Sequence, residues 1–564
     1  MDLSYYGLMG HQINLPHEEP IYITISIETI QSGSAAEEAV LKEFFQLDKY
    51  DCLEPRSDLT PDQKRMALEY LMNIKKKRDG KIKARGCADG RKQRGYILKE
   101  EVSSPTVSYD SLMLSCAIDA HERRNVVTAD IPGAFLQSKL ADDEEIFIVL
   151  RGKLATLFCK TNPAKYDPHL KYDRKKSEHY IYARLKKSLY GTLQAALRFW
   201  EDLTNFLKEQ GFERNEYDWC VMNREVDGSQ ETILFHVDDL KISHRNNAVL
   251  KNTVAQLTKR YGKINDLTVT YGKVHEFIGV TFDFSEEGKL MVKMDDYIEE
   301  ILESANQLLL EKRRDQARTP AGTDLFDIDE SADSLDLERS DHFRSMTAKL
   351  LYLAPRGRPD MMTAVSFLCT RVQQPNVKDW EKLSRALRYL KSTKKLFLTI
   401  CVNEITQMHS YVDSAHMVHH DLKGHTGGFI CFENGAFAAK SKKQRLNSNS
   451  SCEAELIGAG EYLKQIIWAR NFMIAQGYEM KPTIIFQDNE STIKLINNGR
   501  RSSSSKTRHM DNKYFYIHDK IMDEEIKTSF KSTDEMWADG LSKPLQGNQF
   551  VLFRNQVLNA NIVN

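Results

Sequence analysis

Residues 233–242 read ILFHVDDLKI and set Asp238 beside Asp239 between two apolar runs. Two adjacent carboxylates repel each other, so something has to offset that cost. Ile233, Leu234 and Phe235 on one flank, with Leu240 and Ile242 on the other, predict two short buried strands joined by a tight turn. Such a hairpin holds both acids at its tip, where a divalent cation could bind them. The same decapeptide also fits an exposed Asp-rich turn, because Asp side chains hydrogen-bond locally in turns. The rest of the chain decides between the two.

The chain has 564 residues, 41% of them hydrophobic and 28% charged, which suits about three to five soluble domains with a large core. Lys+Arg 79 against Asp+Glu 80 excludes a uniformly basic, histone-like binder. Locally the balance differs: Lys75 to Arg94 carries ten basic residues against Asp79 and Asp89, a block that is either a solvated face or meets phosphates. Nine cysteines show no CxxC pair and no Cys–His grouping at zinc spacing, so neither a metal knuckle nor a disulfide framework is expected, and a reducing compartment is. The start, MDLSYYGLMGHQ, lacks a basic region followed by an apolar core, and no apolar run reaches the roughly 18 residues that span a bilayer. The expectation is a soluble intracellular protein without membrane partners, cytoplasmic, with nuclear access open.

Composition divides the chain further. Residues 1–40 read as a tail, and 41–72 as helical with a break at Pro55 and an N-cap at Thr60 before Pro61. Val126–Asp130 predicts a strand, 171–178 a surface loop and 193–209 a helix. Residues 324–341 hold eight acids against Arg339 alone, too acidic for core, and read as a linker. Helices follow at 346–372 and 377–393, then strands at 409–412, 427–432 and 437–440, the last two joined by Glu433, Asn434 and Gly435. A helix at 453–476, a strand at 483–486, helices near Ser491 and Lys513, a strand at 526–530 and a last helix at 534–541 complete an α/β layout.

Asp130 closes the apolar strand far upstream of Asp238. TADIPGAFLQ (128–137), LKKSLYGTLQAALRFW (185–200) and HVDDL (236–240) follow in the order of a reverse transcriptase. The chain resembles the copia class of retrotransposon polymerases, whose blocks look like DVKTAFL, LYGLKQAPRAW and YVDD. HEFIGV (275–280), ARTP (317–320) and LRYLKST (387–393) match further blocks, and the resemblance runs from about residue 81 to 550. It implies an α/β and α+β multidomain fold: a right-hand polymerase with fingers and palm over 41–245 and palm end and thumb over 246–320. An acidic linker (321–341), a helical connection (342–404), a ribonuclease H-like domain (405–550) and a tail (551–564) would follow.

The resemblance also assigns roles. Asp130, Asp238 and Asp239 would carry two Mg2+ ions, with Mn2+ as the alternative, one ion activating the primer hydroxyl and one stabilising the departing pyrophosphate. Ala134 and Phe135 match the place where the family sets an aromatic ring beneath the incoming sugar, though a core aromatic is the other reading of Phe135. Lys83 and Arg85 match a fingers strand that holds the triphosphate, and Tyr190 and Gly191 would line the nucleotide pocket. His236 stands where the family has tyrosine and Ala196 where it has proline. His236 can still donate a hydrogen bond toward the primer end, but its ring is smaller and titrates.

A second set follows. Asp413 ends a strand, Glu455 sits in a helix, Asp488 follows a strand and Asp539 opens a last helical region, in the order of a ribonuclease H domain. KSKKQRLNSNSSCEAEL, FQDNESTIKL, KTRHMDNKYFYIHDK and ADGLSKPL resemble the copia-class version. These four would again carry two ions, with Glu455 the ligand and Glu453 an exposed neighbour. His509, on a basic loop with Arg500, Arg501, Lys506 and Arg508, would assist product release or proton transfer, or the loop is merely solvated. Lys440, Lys442, Lys443 and Arg445 would touch hybrid phosphates.

The function expected is RNA- and DNA-directed DNA synthesis with cleavage of RNA in hybrids. Its partners would be an RNA template, a DNA primer, an RNA–DNA hybrid and deoxynucleoside triphosphates, with a second copy or other retroelement proteins besides. The alternative is a non-catalytic relic that binds nucleic acid. No protease, integrase core or zinc knuckle is evident, which suggests the C-terminal part of a longer polyprotein or the product of a truncated gene.

Overall fold

The two apolar runs flanking the aspartate pair are antiparallel strands, Ser229–His236 and Asp239–His244, in a computed structural model that describes residues 31, 33–76, 80–98, 102–140, 144–305, 317–499 and 514–560. Their register sets His236 opposite Asp239, so Val237 and Asp238 alone make the turn. Val237 takes φ +60°, a backbone state that a β-branched side chain rarely adopts. The hairpin is central in a six-stranded antiparallel sheet, ordered Thr268–Gly272, Asn125–Asp130, Asp239–His244, Ser229–His236, Val221–Val226 and Glu213–Arg214. Ile233, Leu234, Phe235, Leu240 and Ile242 are buried, sharing a core with the helices Tyr109–Glu122, Ala195–Glu209 and Asn247–Tyr261.

A second sheet, ordered Leu53–Arg56, Glu178–Leu185, Phe147–Arg151, Leu68–Lys76 and Ile82–Ala88, has its own core around Phe44, Tyr70 and Phe158. A third joins Val274–Phe277, Val280–Asp283 and Lys289–Lys293 to the distant Leu398–Cys401, with the helices Leu337–Gly357, Met362–Arg371 and Val377–Ser392 between them in sequence. The fourth runs Ala438–Lys443, His425–Cys431, His409–Ala415, Thr483–Gln487 and Ile526–Phe530, the last two pairings parallel, against the long helix Ser451–Ala475. The fold is thus mixed α/β and α+β, in several units. No helix among the described residues is long and apolar enough to cross a membrane.

Several expectations fail locally. The first helix among the described residues starts at Ala35, inside the expected tail, capped by the Ser34 hydroxyl. The 41–72 stretch is that helix, a strand, the short helix Pro61–Met66 with the expected Thr60 cap, and then the strand Leu68–Lys76. Residues 171–178 belong to a hairpin rather than a loop, pairing Lys171–Asp173 with the strand that begins at Glu178. The 346–372 helix breaks at Arg358, where Pro359 forces the preceding residue out of helical geometry. Within the acidic stretch Leu325 and Phe326 are buried against Ala364 and Phe367, and Asp336 caps the helix that starts at Leu337. The last helix, expected at 534–541, is two short turns, Thr533–Glu535 and Asp539–Ser542. The expected C-terminal tail is mostly the helix Gly547–Leu558, which buries Phe550, Phe553 and Val557.

Candidate active sites

Asp130 is the last residue of its strand and the register partner of Asp239, while the Ile131 amide donates to the Asp238 carbonyl at 3.0 Å. The three aspartates therefore stand at one end of the central sheet, although among the described residues only the Asp413–Glu455–Asp488 set closes three ligand atoms to within 4.8 Å of one another. Burial, then Asp238 and Asp130, push the Asp239 carboxyl up to about 6. Burial and Asp238 also raise Asp130, relieved in part by Lys83 and Arg85. Acids held in mutual repulsion at a strand end are a ready cation site.

Lys83 and Arg85 sit two residues apart on Ile82–Ala88, so both project from one exposed face. The Arg85 guanidinium lies 5.4 Å from the centre of the Tyr190 ring, and Tyr190 stands 4.8 Å from Phe135. The Tyr190 carbonyl accepts from the Ala88 amide at 2.7 Å. Gly191 adopts φ +88°, and a Cβ there would meet the Ala88 carbonyl oxygen at 2.1 Å, so only glycine allows this approach. Lys83, Arg85, Phe135, Tyr190 and Gly191 thus gather about the acids. Ala134 does not join them on the surface; it is buried in the core at the start of the turn Ala134–Gln137. His236 is half-buried, and its Nδ1 has no hydrogen-bond partner among the described residues. Burial lowers its pKa against the pull of Asp238, which favours the neutral ring.

Sequence reasoning missed the brace beneath this corner. Lys241, two residues after Asp239, is buried, pairs with buried Asp119 and donates to the Ser115 hydroxyl at 3.1 Å. A lysine inside an apolar strand was the available signal, since lysine is almost never buried unpaired.

The second site is tighter. Asp413 and Glu455 are buried, Asp488 is partly so, and one oxygen of each lies within 4.8 Å of the others. They line a cavity of about 480 Å³ with His416, Asn489 and Lys543. Glu455 accepts from the Ser414 amide at 3.2 Å and from Gln487 Nε2 at 3.1 Å, and Asp488 from Thr533 Oγ1 at 3.2 Å. Asp539 stands beside them but is held by Lys543, whose Nζ lies 2.9 Å away. The Ser542 hydroxyl donates to Asp413. Burial and Asp413 raise the pKa of Glu455 and of Asp488, and push Asp539 up to about 7 against the pull of Lys543. Burial opposes the Lys543 charge, but Asp413 and Asp539 outweigh it and raise its pKa. Buried hard oxygen donors whose repulsion Lys543 relieves only in part fit a divalent cation such as Mg2+.

Glu453 is not an exposed neighbour. It is buried and accepts from the Asn449 amide at 2.8 Å, while its own amide donates to the Ser450 hydroxyl that caps the long helix. Lys443 pairs with Asp421 at 2.8 Å, and Lys440 is partly buried near Asp110, so the four expected phosphate contacts are not one free face. His509, Arg500, Arg501, Lys506 and Arg508 lie outside the described residues.

Residues 57–309 match the family described as "Reverse transcriptase (RNA-dependent DNA polymerase)". The retrovirus-related Pol polyprotein from transposon TNT 1-94 of Nicotiana tabacum is 26% identical over 510 residues, 89% of this chain and 36% of that protein. That from transposon RE1 of Arabidopsis thaliana is 25% identical, covering 86% of this chain and 31% of its own length. This chain therefore spans about a third of those polyproteins. The transposon Ty5-1 protein of Saccharomyces cerevisiae is 30% identical over 49% of this chain and 87% of its own length. Among solved structures, a foamy viral protease-reverse transcriptase in complex with double-stranded DNA aligns with 89% of this chain and 70% of its own, at TM-score 0.51 and 10% identity, a likeness of fold. With the aspartate hairpin, its strand partner Asp130 and these relatives together, the chain belongs to the reverse transcriptase family of copia-class retrotransposons.

Proposed function

We propose that the chain copies RNA and DNA templates into DNA at the Asp130–Asp238–Asp239 corner and cuts the RNA of an RNA–DNA hybrid at the Asp413–Glu455–Asp488 cluster. One observation supports each half: three aspartates stand at one sheet end near Lys83 and Arg85, where Asp238 raises the pKa of the other two, and three more carboxylates converge within 4.8 Å. Bound Mg2+, or Mn2+ in its place, supplies the charge that activates an attacking hydroxyl or water and steadies the leaving oxygen.

The chain's own groups do the rest. Lys83 and Arg85 offer two cations to a triphosphate. Phe135, backed by Tyr190, forms a floor under the sugar and excludes a 2′-hydroxyl by contact, which favours deoxynucleotides. His236, neutral, donates one hydrogen bond toward the primer end. At the second cluster Lys543 pulls Asp539 toward its ionised form against burial and Asp413. Residues 41–245 serve as fingers and palm, 246–320 as palm end and thumb, 342–404 as connection and 405–550 as the nuclease domain in this reading.

The test is Mg2+-dependent primer extension on an RNA template, with mapping of RNA cuts, for the wild type, Asp239→Asn and Asp488→Asn. Extension lost in the first variant alone and cutting lost in the second alone is the expected result. A wild type that binds hybrid but neither extends nor cuts overturns the enzyme reading in favour of a nucleic-acid-binding relic.

A further inference from the structure

The helix Tyr109–Glu122 lies behind the polymerase corner, and Lys241 ties it to the strand that begins at Asp239 through Asp119 and Ser115. The long helix Ser451–Ala475 carries Glu455 in its first half and meets Tyr109–Glu122 with its second. Near one end of the contact Gln465 Nε2 donates to Asp110 at 2.9 Å. Near the other, the Tyr478 hydroxyl donates to Glu122 at 2.5 Å, just past the end of the long helix. Asp110 and Glu122 are about 18 Å apart at 1.5 Å per helical residue. One tie would leave a pivot, whereas two ties that far apart oppose both sliding and rotation.

The second tie is itself anchored. Glu122 accepts from Arg124 Nε at 2.9 Å and lies 3.5 Å from Arg245 Nε. Arg124 is buried and donates to Thr232 Oγ1 at 3.0 Å. Gln230, on the strand that leads into the aspartate turn, donates to the Gln476 carbonyl at 3.0 Å. Both anchors therefore sit on the central sheet that presents Asp130, Asp238 and Asp239.

We propose that this helix pair is a register device, with Gln465 and Tyr478 as positioning residues that fix how far from the primer terminus the RNA of a bound duplex is cut. The proposal rests on reading the two clusters as polymerase and nuclease sites. Because Glu455 and Asp239 are carried by elements tied to one helix, a duplex engaged at the first site meets the second at a set number of base pairs.

The experiment uses the full chain, a 5′-labelled RNA template and a DNA primer with a recessed 3′ end, and maps cuts relative to that end. The wild type is expected to cut within a narrow window. The double variant Gln465→Leu/Tyr478→Phe is expected to spread its cuts over several more nucleotides, with cutting of a short blunt hybrid held within about twofold. Asp110→Asn keeps an acceptor for Gln465 and is expected to keep the narrow window. Should the double variant fail to fold, Tyr478→Phe alone, which loses one hydroxyl, carries the test. Equal windows in wild type and variant overturn the register device while leaving the nuclease reading intact. A wild type that leaves the RNA whole overturns that reading and the proposal with it.

Discussion

The Lys543 ammonium lies 3.3 Å from Asp413 and 2.9 Å from Asp539, so one cation already stands against the carboxylate that faces Glu455 and Asp488. Asp413 is only 1% exposed. Removing one partner of a buried pair costs about 3–5 kcal/mol, but the Lys543 side chain is 38% exposed and water screens part of that. Lys543→Met is therefore expected to lower stability by about 1–3 kcal/mol at neutral pH without divalent ions. Mg2+ should restore much of the loss by occupying the same negative field. Urea unfolding of both proteins with and without Mg2+ decides it. Equal stability in metal-free buffer would mean that Lys543 does not hold the charge.

The acids predict how metal affinity depends on pH. Burial and Asp413 raise Asp539 to about 7, and burial with Asp238 and Asp130 raises Asp239 to about 6, both above the unfolded value near 3.9. The folded, metal-free protein thus holds protons that the unfolded chain releases, so these groups lose stability as pH climbs from about 4 to about 7. Divalent ions must displace those protons, so affinity should rise up to about tenfold per pH unit per proton and level off above about 7. Mg2+ is then expected to raise the melting temperature more at pH 8 than at pH 5.5. A metal-induced shift of the same size at both values would refute the assignment of raised acids.

Gly191 gives a prediction on the nucleotide side. At φ +88° with the Ala88 oxygen 2.1 Å from where a Cβ would stand, alanine brings both backbone strain and a collision. Strain of this kind costs about 1–3 kcal/mol, and the nearest relief moves Ala88, three residues beyond Arg85 on the same strand. Gly191→Ala should therefore raise KM for deoxynucleotides about tenfold, with kcat less affected, in steady-state extension at saturating primer. An unchanged KM would show that the Ala88 contact does not position Arg85.

Legibility followed the range of the interactions. The aspartate hairpin and the strand ending at Asp130 were readable because alternating burial and a tight turn are written in neighbouring residues. Leu68–Lys76 was not: its Leu, Glu, Met and Lys suit a helix, and only pairing with Ile82–Ala88 and Phe147–Arg151 makes it a strand. Lys543 stood in plain view at ADGLSKPL, but its bond to Asp413 crosses 130 residues. Leu325 and Phe326 were hidden by the acids around them, because a charge count averages over side chains that point opposite ways.

Those two residues carry the last prediction. Phe326 packs with its ring centre 4.7 Å from that of His419 and 5.2 Å from that of His425. His419 Nε2 lies 2.9 Å from His425 Nδ1, and His425 Nε2 lies 2.8 Å from the Ser441 hydroxyl. Burial, helped by Lys443 and opposed by Asp421, lowers His419 to about 4; burial, His419 and Lys443 lower His425 to about 3. Both values lie below the unfolded 6.5, so the stability they represent is complete above pH 6.5 and drains as pH falls toward 4. Each histidine that charges only on unfolding costs up to about 1.4 kcal/mol per pH unit in that window. The raised acids at Asp539 and Asp239 have the opposite sign over the same range, so the raw pH profile of one protein does not separate the two effects. The difference between wild type and His425→Gln does, because the acids cancel. Its stability gap should be widest at pH 8, where the lost histidine bonds dominate, and should narrow steadily from pH 6.5 to 4.5. Protease nicking within 321–336 should increase for the wild type over the same interval, because opening that segment lets the histidines take up protons that they do not hold while it is packed. A gap that is constant with pH would show that His425 takes up a proton as readily in the folded chain as in the unfolded one, so that burial beneath Phe326 does not hold it neutral.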